Sequence, residues 1–334
     1  MRLTIAFFIA LCCIAASNQP PVRKFLISGK AQGTTYQVFY FGTDSVVTKK
    51  HIDSILDKID SSLSLYKPYS LINQFNLSDS GIYADDHFLA VVNKSIETYH
   101  QTEGIFDITI QPLVQAWGFG VNAITHLPDS STIQQVKKCM GSAYLVVYPT
   151  KVVKMKSCIK IDLNGIAQGY SVDVLAKFLE KNNIRDYMVE LGGEIRVNGR
   201  KQPGNEKMKI GIETPGNDEY EMGFINKVIE LDKGALTTSG NYRRYYESKG
   251  RKISHLIDPR NGYPVSNELI SVTVFADDAI TADGFDNAIM VMGLEKGLDF
   301  VNNRKDIAAH FIYKTKNGII RDTMSHSFFK LMQH

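Results

Sequence analysis

Apolar positions along this chain recur at two different periods, and the places where the period changes divide it into strands and helices. The segment "FLISGKAQGTTYQVFYFG" predicts two strands on either side of Gln32-Gly33. Ile52, Ile55, Leu56, Ile59 and Leu63 then fall at helical spacing in "TKKHIDSILDKIDSSLSLY", with Thr48 placed to cap the helix. "DDHFLAVVNKSIETYHQTEG" predicts a second helix ended by Gly104, and Asp129 and Ser130 are suited to cap a short one carrying Ile133 and Val136. "AYLVVY" and "KVVKMK" predict a β pair around Pro149-Thr150. "IKIDLNGIAQGYSVDVLAKFLEKN" begins as a strand, crosses two glycines and becomes an amphipathic helix. Beyond it strands dominate ("DYMVEL", "EIRVNG", "KMKIGIE", "NKVIELD", "ISVTVFA", "AAHFIY", "GIIRD"), interrupted by a helical pair over residues 281–303. Helices and antiparallel-type strands mix without regular βαβ alternation, and no repeat or internal linker divides them, so the expectation is a single α+β domain.

The N-terminus stands apart. "MRLTIAFFIALCCIAAS" has one basic residue, Arg2, an apolar run over residues 5–14, then small residues. That is the anatomy of a secretory signal, too short to span a bilayer. The alternative, a buried N-terminal strand, is weaker because nothing amphipathic follows. Cleavage after Ala15 or Ser17 gives a soluble exported protein; acylation of Cys12 or Cys13, after "FIAL", gives a lipid-anchored one, the reading favoured here. The expected layout is a signal over 1–17, a linker over 18–24 and one domain over 25–334.

Composition narrows the function by exclusion. Of 334 residues 44% are hydrophobic and 22% charged, as in ordinary globular proteins, and a net charge of +3 without a Lys/Arg-rich run argues against nucleic acid as a partner. After removal of the signal only Cys139 and Cys158 remain, either paired in an oxidising compartment or present as free thiols. Neither lies in a CxxC or Cys/His cluster, which excludes a thiolate metal site.

Chemistry concentrates in polar and glycine-rich interruptions. At "DLNGIAQGY" a strand ends in Asp162 and a helix starts after Gly165, presenting backbone N–H groups and a positive helix end suited to phosphate. It is neither a Walker loop, lacking the lysine, nor a G-x-G-x-x-G fingerprint. A plain strand–helix turn remains the alternative. In "ITADGFDNAIMVMG", Asp283 and Asn287 share a helix face, with Asp286 beside them. Such oxygen ligands suit Mg²⁺ or Ca²⁺ rather than zinc; an acidic first turn serving the helix dipole is the rival reading. "HLIDPRNGYPV" offers His255 as a general base and Asp258 before a turn. "IFDITIQPLVQAWGFG" holds Trp117, Phe106 and Phe119, which either flank a flat ligand or pack in the core.

Taken in order, "GTTY", "SLYKPYSLINQFN", "GIFDITIQPLVQAWGFG", "KIDLNGIAQGYSVD", "VELGGEIRVNG", "LTTSGNYRRYY", "HLIDPRNGYPV" and "TADGFDNAIMVMG" resemble the FAD:protein FMN transferase (ApbE) family, from about Lys30 to the C-terminal strands. The resemblance implies an α+β fold of the T-fold kind. It also implies an enzyme that uses FAD and Mg²⁺ to attach FMN by a phosphoester to a Ser or Thr of an acceptor flavoprotein, an exported redox-complex subunit or similar, releasing AMP. By the same resemblance Gln32, Tyr66, Ile105, Phe106, Asp107, Asp162, Gln168 and Ile257 fall at FAD contacts. Gly165 (through its carbonyl), Asp283, Asp286 and Asn287 fall at the metal, and His255 and Asp283 are the catalytic expectations. The chain departs from the pattern where relatives often carry Met for Gln32, Lys for Gln168 and a Thr metal ligand for Asn287. Two rival functions remain: a Mg²⁺-dependent FAD pyrophosphatase, and a non-catalytic FAD-binding lipoprotein. The membrane enters only through the lipid anchor.

Overall fold

Gln32 and Gly33 both take positive φ (51° and 76°), and Ala31 pairs with Thr34, so the first two strands turn back through a two-residue loop whose twist matches theirs. In the computed structural model, which describes residues 20–214, 224–241, 245–248 and 251–333, these are β1 (Arg23–Ala31) and β2 (Thr34–Gly42). Then come α1 (Lys49–Leu63), α2 (Leu71–Leu77), β3 (Gly81–Tyr83) and α3 (Asp86–Gln101). After a 3-10 turn at Ile108–Ile110 follow α4 (Gln111–Ala116), α5 (Ser130–Lys137), β4 (Leu145–Tyr148) and β5 (Lys151–Lys154). Next are α6 (Ala167–Lys181), β6 (Tyr187–Leu191), β7 (Glu194–Asn198), β8 (Met208–Thr214), β9 (Phe224–Leu231) and β10 (Lys233–Gly240). Four short strands, β11 (Tyr245–Ser248), β12 (Arg251–Ser254), β13 (Ile257–Asp258) and β14 (Tyr263–Pro264), precede β15 (Leu269–Ala276). The last elements are α7 (Ala279–Met292), α8 (Leu294–Asn302), β16 (Ile307–Lys314), β17 (Ile320–Met324) and α9 (His326–Met332).

Eight strands make one antiparallel sheet in the order β1-β2-β6-β7-β10-β15-β16-β17. On one face α6 lays Val172, Leu175 and Leu179 against Tyr36, Val38, Val189 and Leu191. Alongside it α7 sets Phe285, Ile289 and Met290 against Val272, Val274 and Phe311. The opposite face is covered by the β8–β9 hairpin and α9, with Met208, Ile210, Ile229 and Phe328 meeting Phe39, Val197 and Leu236. A further apolar cluster joins α2, α3 and the three-stranded sheet β3-β5-β4 to the Ile159–Ile161–Ile166 segment that enters α6. The single α+β domain expected from the pattern is what forms.

Some boundaries differ from expectation. β1 begins at Arg23, inside the stretch read as linker, because Arg23 already pairs with Gly42. α7 starts at Ala279 rather than near Thr281, since the Asp278 carboxylate accepts the Thr281 N–H and caps it. Cys139 and Cys158 are disulfide-bonded, with Cα atoms 5.5 Å apart. The signal segment, with Arg2, Cys12 and Cys13, and residues 242–244 of "LTTSGNYRRYY" lie outside the described residues.

Candidate active site

Helices α6 and α7 touch where α6 has a glycine. A Cβ on Gly169 would stand 2.4 Å from the Ala279 carbonyl oxygen and 2.7 Å from Asp283 Cβ, so only glycine permits the approach. The same approach lets the Gly169 N–H donate to Asp283 Oδ2 at 2.8 Å. α7 is apolar nearly all round and therefore lies in the core, carrying Asp283 and Asp286 inward; both are buried. Burial raises the Asp283 pKa to about 7, opposed by the Gly169 hydrogen bond and reinforced by Asp173. Asp286 is pushed well above the usual carboxylate range, first by burial and then by the neighbouring charge of Asp283.

Asn287 ties this pair to the start of α6. Its Nδ2 donates to the carbonyls of Gly165 and Asp283, both at 3.2 Å, and to Asp286 Oδ1 at 2.9 Å, while its Oδ1 accepts from Ser239 on β10 at 3.2 Å. Three oxygens thus converge on one amide nitrogen. Thr237, also on β10, is near enough to draw the Asp286 pKa down, yet its buried hydroxyl makes no hydrogen bond of good geometry. Among the described residues no three His, Cys, Asp or Glu side chains gather as a metal cluster; the set here is two carboxylates completed by a carbonyl and an amide. The carboxylate and carbonyl oxygens suit a hard divalent cation, and two like charges buried together call for a positive partner; Asn287 presents Nδ2 to them here, and turning its amide over would bring Oδ1 to the same point. The residues present fit Mg²⁺.

No side chain caps the N-terminus of α6, which starts beside Gly165. Asp162, three residues earlier, accepts the Asn164 N–H at 2.8 Å and has its pKa raised by burial to about 6. Its own N–H binds the Ile108 carbonyl at 2.8 Å, fastening this turn to the 105–109 segment. There Phe106 is buried beside Gly165, its ring 3.8 Å from where a Cβ would project, and Ile105 is half-buried. Asp107 Oδ1 accepts from Thr109 N–H (2.9 Å), Thr109 Oγ1 (2.7 Å) and Ser142 Oγ (2.7 Å), so this oxygen is spent on holding the segment. Burial still raises the Asp107 pKa.

Gln32 reaches the first turns of α6 from the β1–β2 loop, and Gln168 belongs to the first turn itself. Gln32 Nε2 donates to Ser171 Oγ at 2.8 Å, and Gln168 packs so tightly against Gly192 that a Cβ there would lie 2.9 Å from its amide nitrogen. Gln32 pays for its position with a left-handed backbone (φ 51°), a strain common where a turn serves a site. Tyr66 stands on a different loop, 62% exposed. Ile257 is buried with Leu113, Trp117 and Ile133, and His255 stands half-buried with its ring centroid 6.3 Å from that of Phe119. Trp117 takes the packing role rather than the ligand-flanking one, and its Nε1 donates to the Gly262 carbonyl at 2.8 Å. Asp258 serves the turn, accepting from the Arg260 N–H and Nε, both at 2.9 Å.

The structure therefore gathers Gly165, Asp283, Asp286 and Asn287, sets Phe106 and Asp162 beside them, and places Gln32 and Gln168 along α6. Tyr66, on the loop after α1, and the His255–Ile257 segment, packed with Phe119 and Trp117, are not among the residues gathered there. Reading by motif missed Asp173. From α6 its carboxylate accepts the N–H groups of Ala279 (3.0 Å) and Ile280 (2.9 Å) at the start of α7 and pairs with Arg196 of β7. The available signal was an acid on the otherwise buried face of α6, one turn after Gly169.

Known proteins resemble this chain over most of its length. Residues 32–311 match the ApbE family. A relative from Vibrio cholerae named FAD:protein FMN transferase is 34% identical over 327 residues, covering 96% of each chain. The solved flavin transferase ApbE of Vibrio cholerae superposes with TM-score 0.82 at 32% identity, covering 93% of this chain and 99% of that one. The apo flavinyl transferase ApbE of Pseudomonas stutzeri gives 0.84 at 31% identity, over 94% and 98%.

Proposed function

The chain belongs to the ApbE family, and on that premise we propose that it is a Mg²⁺-dependent FAD:protein FMN transferase acting outside the cytoplasm. Flavin transfer follows from the family; the metal, the residue roles and the location are our reading. One observation carries it: two buried carboxylates, the Gly165 carbonyl and the Asn287 amide converge beside the uncapped start of α6.

In this reading the FAD diphosphate lies at the α6 N-terminus, where the helix dipole and backbone N–H groups favour an anion. Mg²⁺ held by Gly165, Asp283, Asp286 and Asn287 would supply the positive charge that two acids and a diphosphate require. Gln32, Gln168 and Tyr66 orient the nucleotide, and Phe106 closes the pocket behind the metal-binding turn. The acceptor's Ser or Thr hydroxyl oxygen attacks the phosphorus bearing the riboflavin moiety, the bond from that phosphorus to the bridging oxygen breaks, and AMP leaves. His255 takes the hydroxyl proton, a service typically worth ~10²–10⁴-fold in rate.

Incubation with FAD, Mg²⁺ and an acceptor flavoprotein tests this directly. Flavin fluorescence retained on the denatured acceptor, together with AMP release, is expected; AMP with free FMN means hydrolysis, and neither product means FAD storage. His255→Ala should keep FAD affinity and lose rate, with an altered pH–rate profile; affinity falling in step with rate makes the histidine structural. Location rests on the signal-like N-terminus and on a disulfide, which suits an oxidising compartment. Metabolic lipid labelling of wild type beside a Cys12/Cys13→Ser double variant distinguishes an anchored from a soluble exported protein.

A further inference from the structure

We propose that α2 is a bracket for the flavin pocket, with Asn73 and Asn76 as positioning residues that fix Tyr66 relative to the Asp162 turn. The inference rests on the reading of Tyr66 and Asp162 as FAD contacts.

Asn73 Nδ2 donates to the carbonyls of Leu65 (3.0 Å) and Lys67 (2.9 Å), the two that flank Tyr66. The same loop is stitched at two further carbonyls: Ser70 Oγ donates to Ser64 at 2.7 Å and Gln74 Nε2 to Tyr69 at 2.9 Å. At the other end of this seven-residue helix, Asn76 imitates a strand partner, donating from Nδ2 to the Ile161 carbonyl (2.9 Å) and accepting the Ile161 N–H on Oδ1 (2.7 Å). Ile161 directly precedes Asp162. One short helix therefore holds both the backbone around Tyr66 and the backbone before the diphosphate-facing turn.

A helix this short has little stability of its own. Ile72 and Phe75, fully buried, seat it in the core. Exposed loops are ordinarily mobile, and a ring held by a mobile loop loses part of its contact energy to ordering. Here Tyr66 is 62% exposed while four carbonyls of its loop are bonded to side chains of α2 and its cap. That combination, an exposed ring on a fixed backbone, suits a stacking surface made ready before the ligand arrives.

A double-mutant cycle separates positioning from simple loop stability. FAD dissociation constants are measured by fluorescence titration for wild type, Asn73→Ala, Tyr66→Ala and the double variant, each with its melting temperature. Loss of the two carbonyl bonds should weaken FAD about tenfold in the wild-type background. In the Tyr66→Ala background the same change should have little further effect. Full additivity overturns the proposal, as does a wild-type affinity in Asn73→Ala when Tyr66→Ala binds weakly. If Tyr66→Ala itself binds FAD normally, the reading of Tyr66 fails and the bracket with it. Should Asn73→Ala not fold, Asn73→Asp keeps the volume, removes the donor and carries the same cycle. Asn76→Ala should couple in the same way to Asp162→Asn.

Discussion

Replacing Gly169 by alanine sets two simple expectations against each other. On helix propensity alone the change should stabilise α6 by about 1 kcal/mol. Packing predicts the reverse. The new methyl would lie 2.4 Å from the Ala279 carbonyl oxygen and 2.7 Å from Asp283 Cβ, where ordinary contact begins at 3.4 Å, so α6 and α7 must part by roughly 1 Å. Overpacking of this kind costs about 1–3 kcal/mol. Parting the helices also stretches the 2.8 Å bond from the Gly169 N–H to Asp283, and a hydrogen bond to a charged group is worth about 1.5–3 kcal/mol. The net expectation is a loss of about 2–5 kcal/mol, or a melting temperature lower by roughly 4–10 °C at about 2 °C per kcal/mol. Because the displaced group is a carboxylate of the proposed metal set, flavin transfer by the folded variant should fall about 10²-fold. Differential scanning calorimetry and an FMN-transfer assay at saturating Mg²⁺ report both. A variant as stable as wild type with undiminished transfer would show that the α6–α7 crossing does not set the site.

Three further outcomes are expected. Asp283→Ala should fold and lose flavin transfer by orders of magnitude, because metal-borne charge stabilisation is worth several kcal/mol; near-normal activity across a Mg²⁺ titration would remove Asp283 from the metal set. Burial raises Asp283 to about 7 and holds Asp286 well above the usual carboxylate range, against about 4 in an unfolded chain, so the metal-free fold holds extra protons between about pH 4 and 7. Their contribution to stability is full near pH 4 and is lost as pH rises through 7; wild type should therefore lose more melting temperature than Asp286→Asn between pH 5 and 8, and Mg²⁺ should restore it at pH 8. Equal pH slopes for the two proteins would contradict the burial argument. Replacing Cys139 and Cys158 by serine opens a link across 19 positions and should cost about 3 kcal/mol by loop entropy in the unfolded chain, read as a lower denaturation midpoint; an unchanged midpoint would contradict it.

How far the chain could be read without coordinates depended on whether each feature was locally determined. α1 and α3 were legible because their apolar stripes run for four turns and each has a capping side chain, Thr48 or Asp85. The Gln32-Gly33 hairpin was legible because a glycine stood between two apolar runs. α2 was not: with only Ile72 and Phe75 buried it has too few apolar positions to show a period, and it is helical because the core seats it and asparagines pin it. The carboxylates of α7 stood out as acids in an otherwise apolar helix, whereas Gln32, Gln168 and Tyr66 came only from likeness to a family. Asp173 gave only the sign of an acid on the buried face of α6, since its partners are two N–H groups 106 and 107 positions away and exist only once α6 crosses α7. The disulfide was likewise undecidable, because the approach of Cys139 to Cys158 depends on both flanking segments being fastened to residues 107–109, through Ser142, Gly141 and Asp162.

On the proposed reading, the arrangement also accounts for acids rather than a lysine at a junction that takes a diphosphate. A lysine beside Asp283 and Asp286 would pair with them permanently and leave no positive charge over for a diphosphate. Without one, the buried acids keep protons when the site is empty, as their raised pKa values indicate, and give them up when a cation enters. The positive charge then arrives with the nucleotide, and each ligand makes the other's site less costly to occupy. Such coupling must be reciprocal: the factor by which Mg²⁺ tightens FAD binding has to equal the factor by which FAD tightens Mg²⁺ binding. Coupling of about 1–3 kcal/mol, or 5–150-fold, is the ordinary range, and a shared diphosphate should place this protein toward its upper end. Calorimetric titration of each ligand with and without the other measures both factors, and the same titration at pH 6 should show weaker Mg²⁺ binding with more protons released than at pH 8. Independent binding, with a factor near one in both directions, would mean that the metal does not sit between these carboxylates and the diphosphate, and that Asp283 and Asp286 are buried for some purpose other than this reaction.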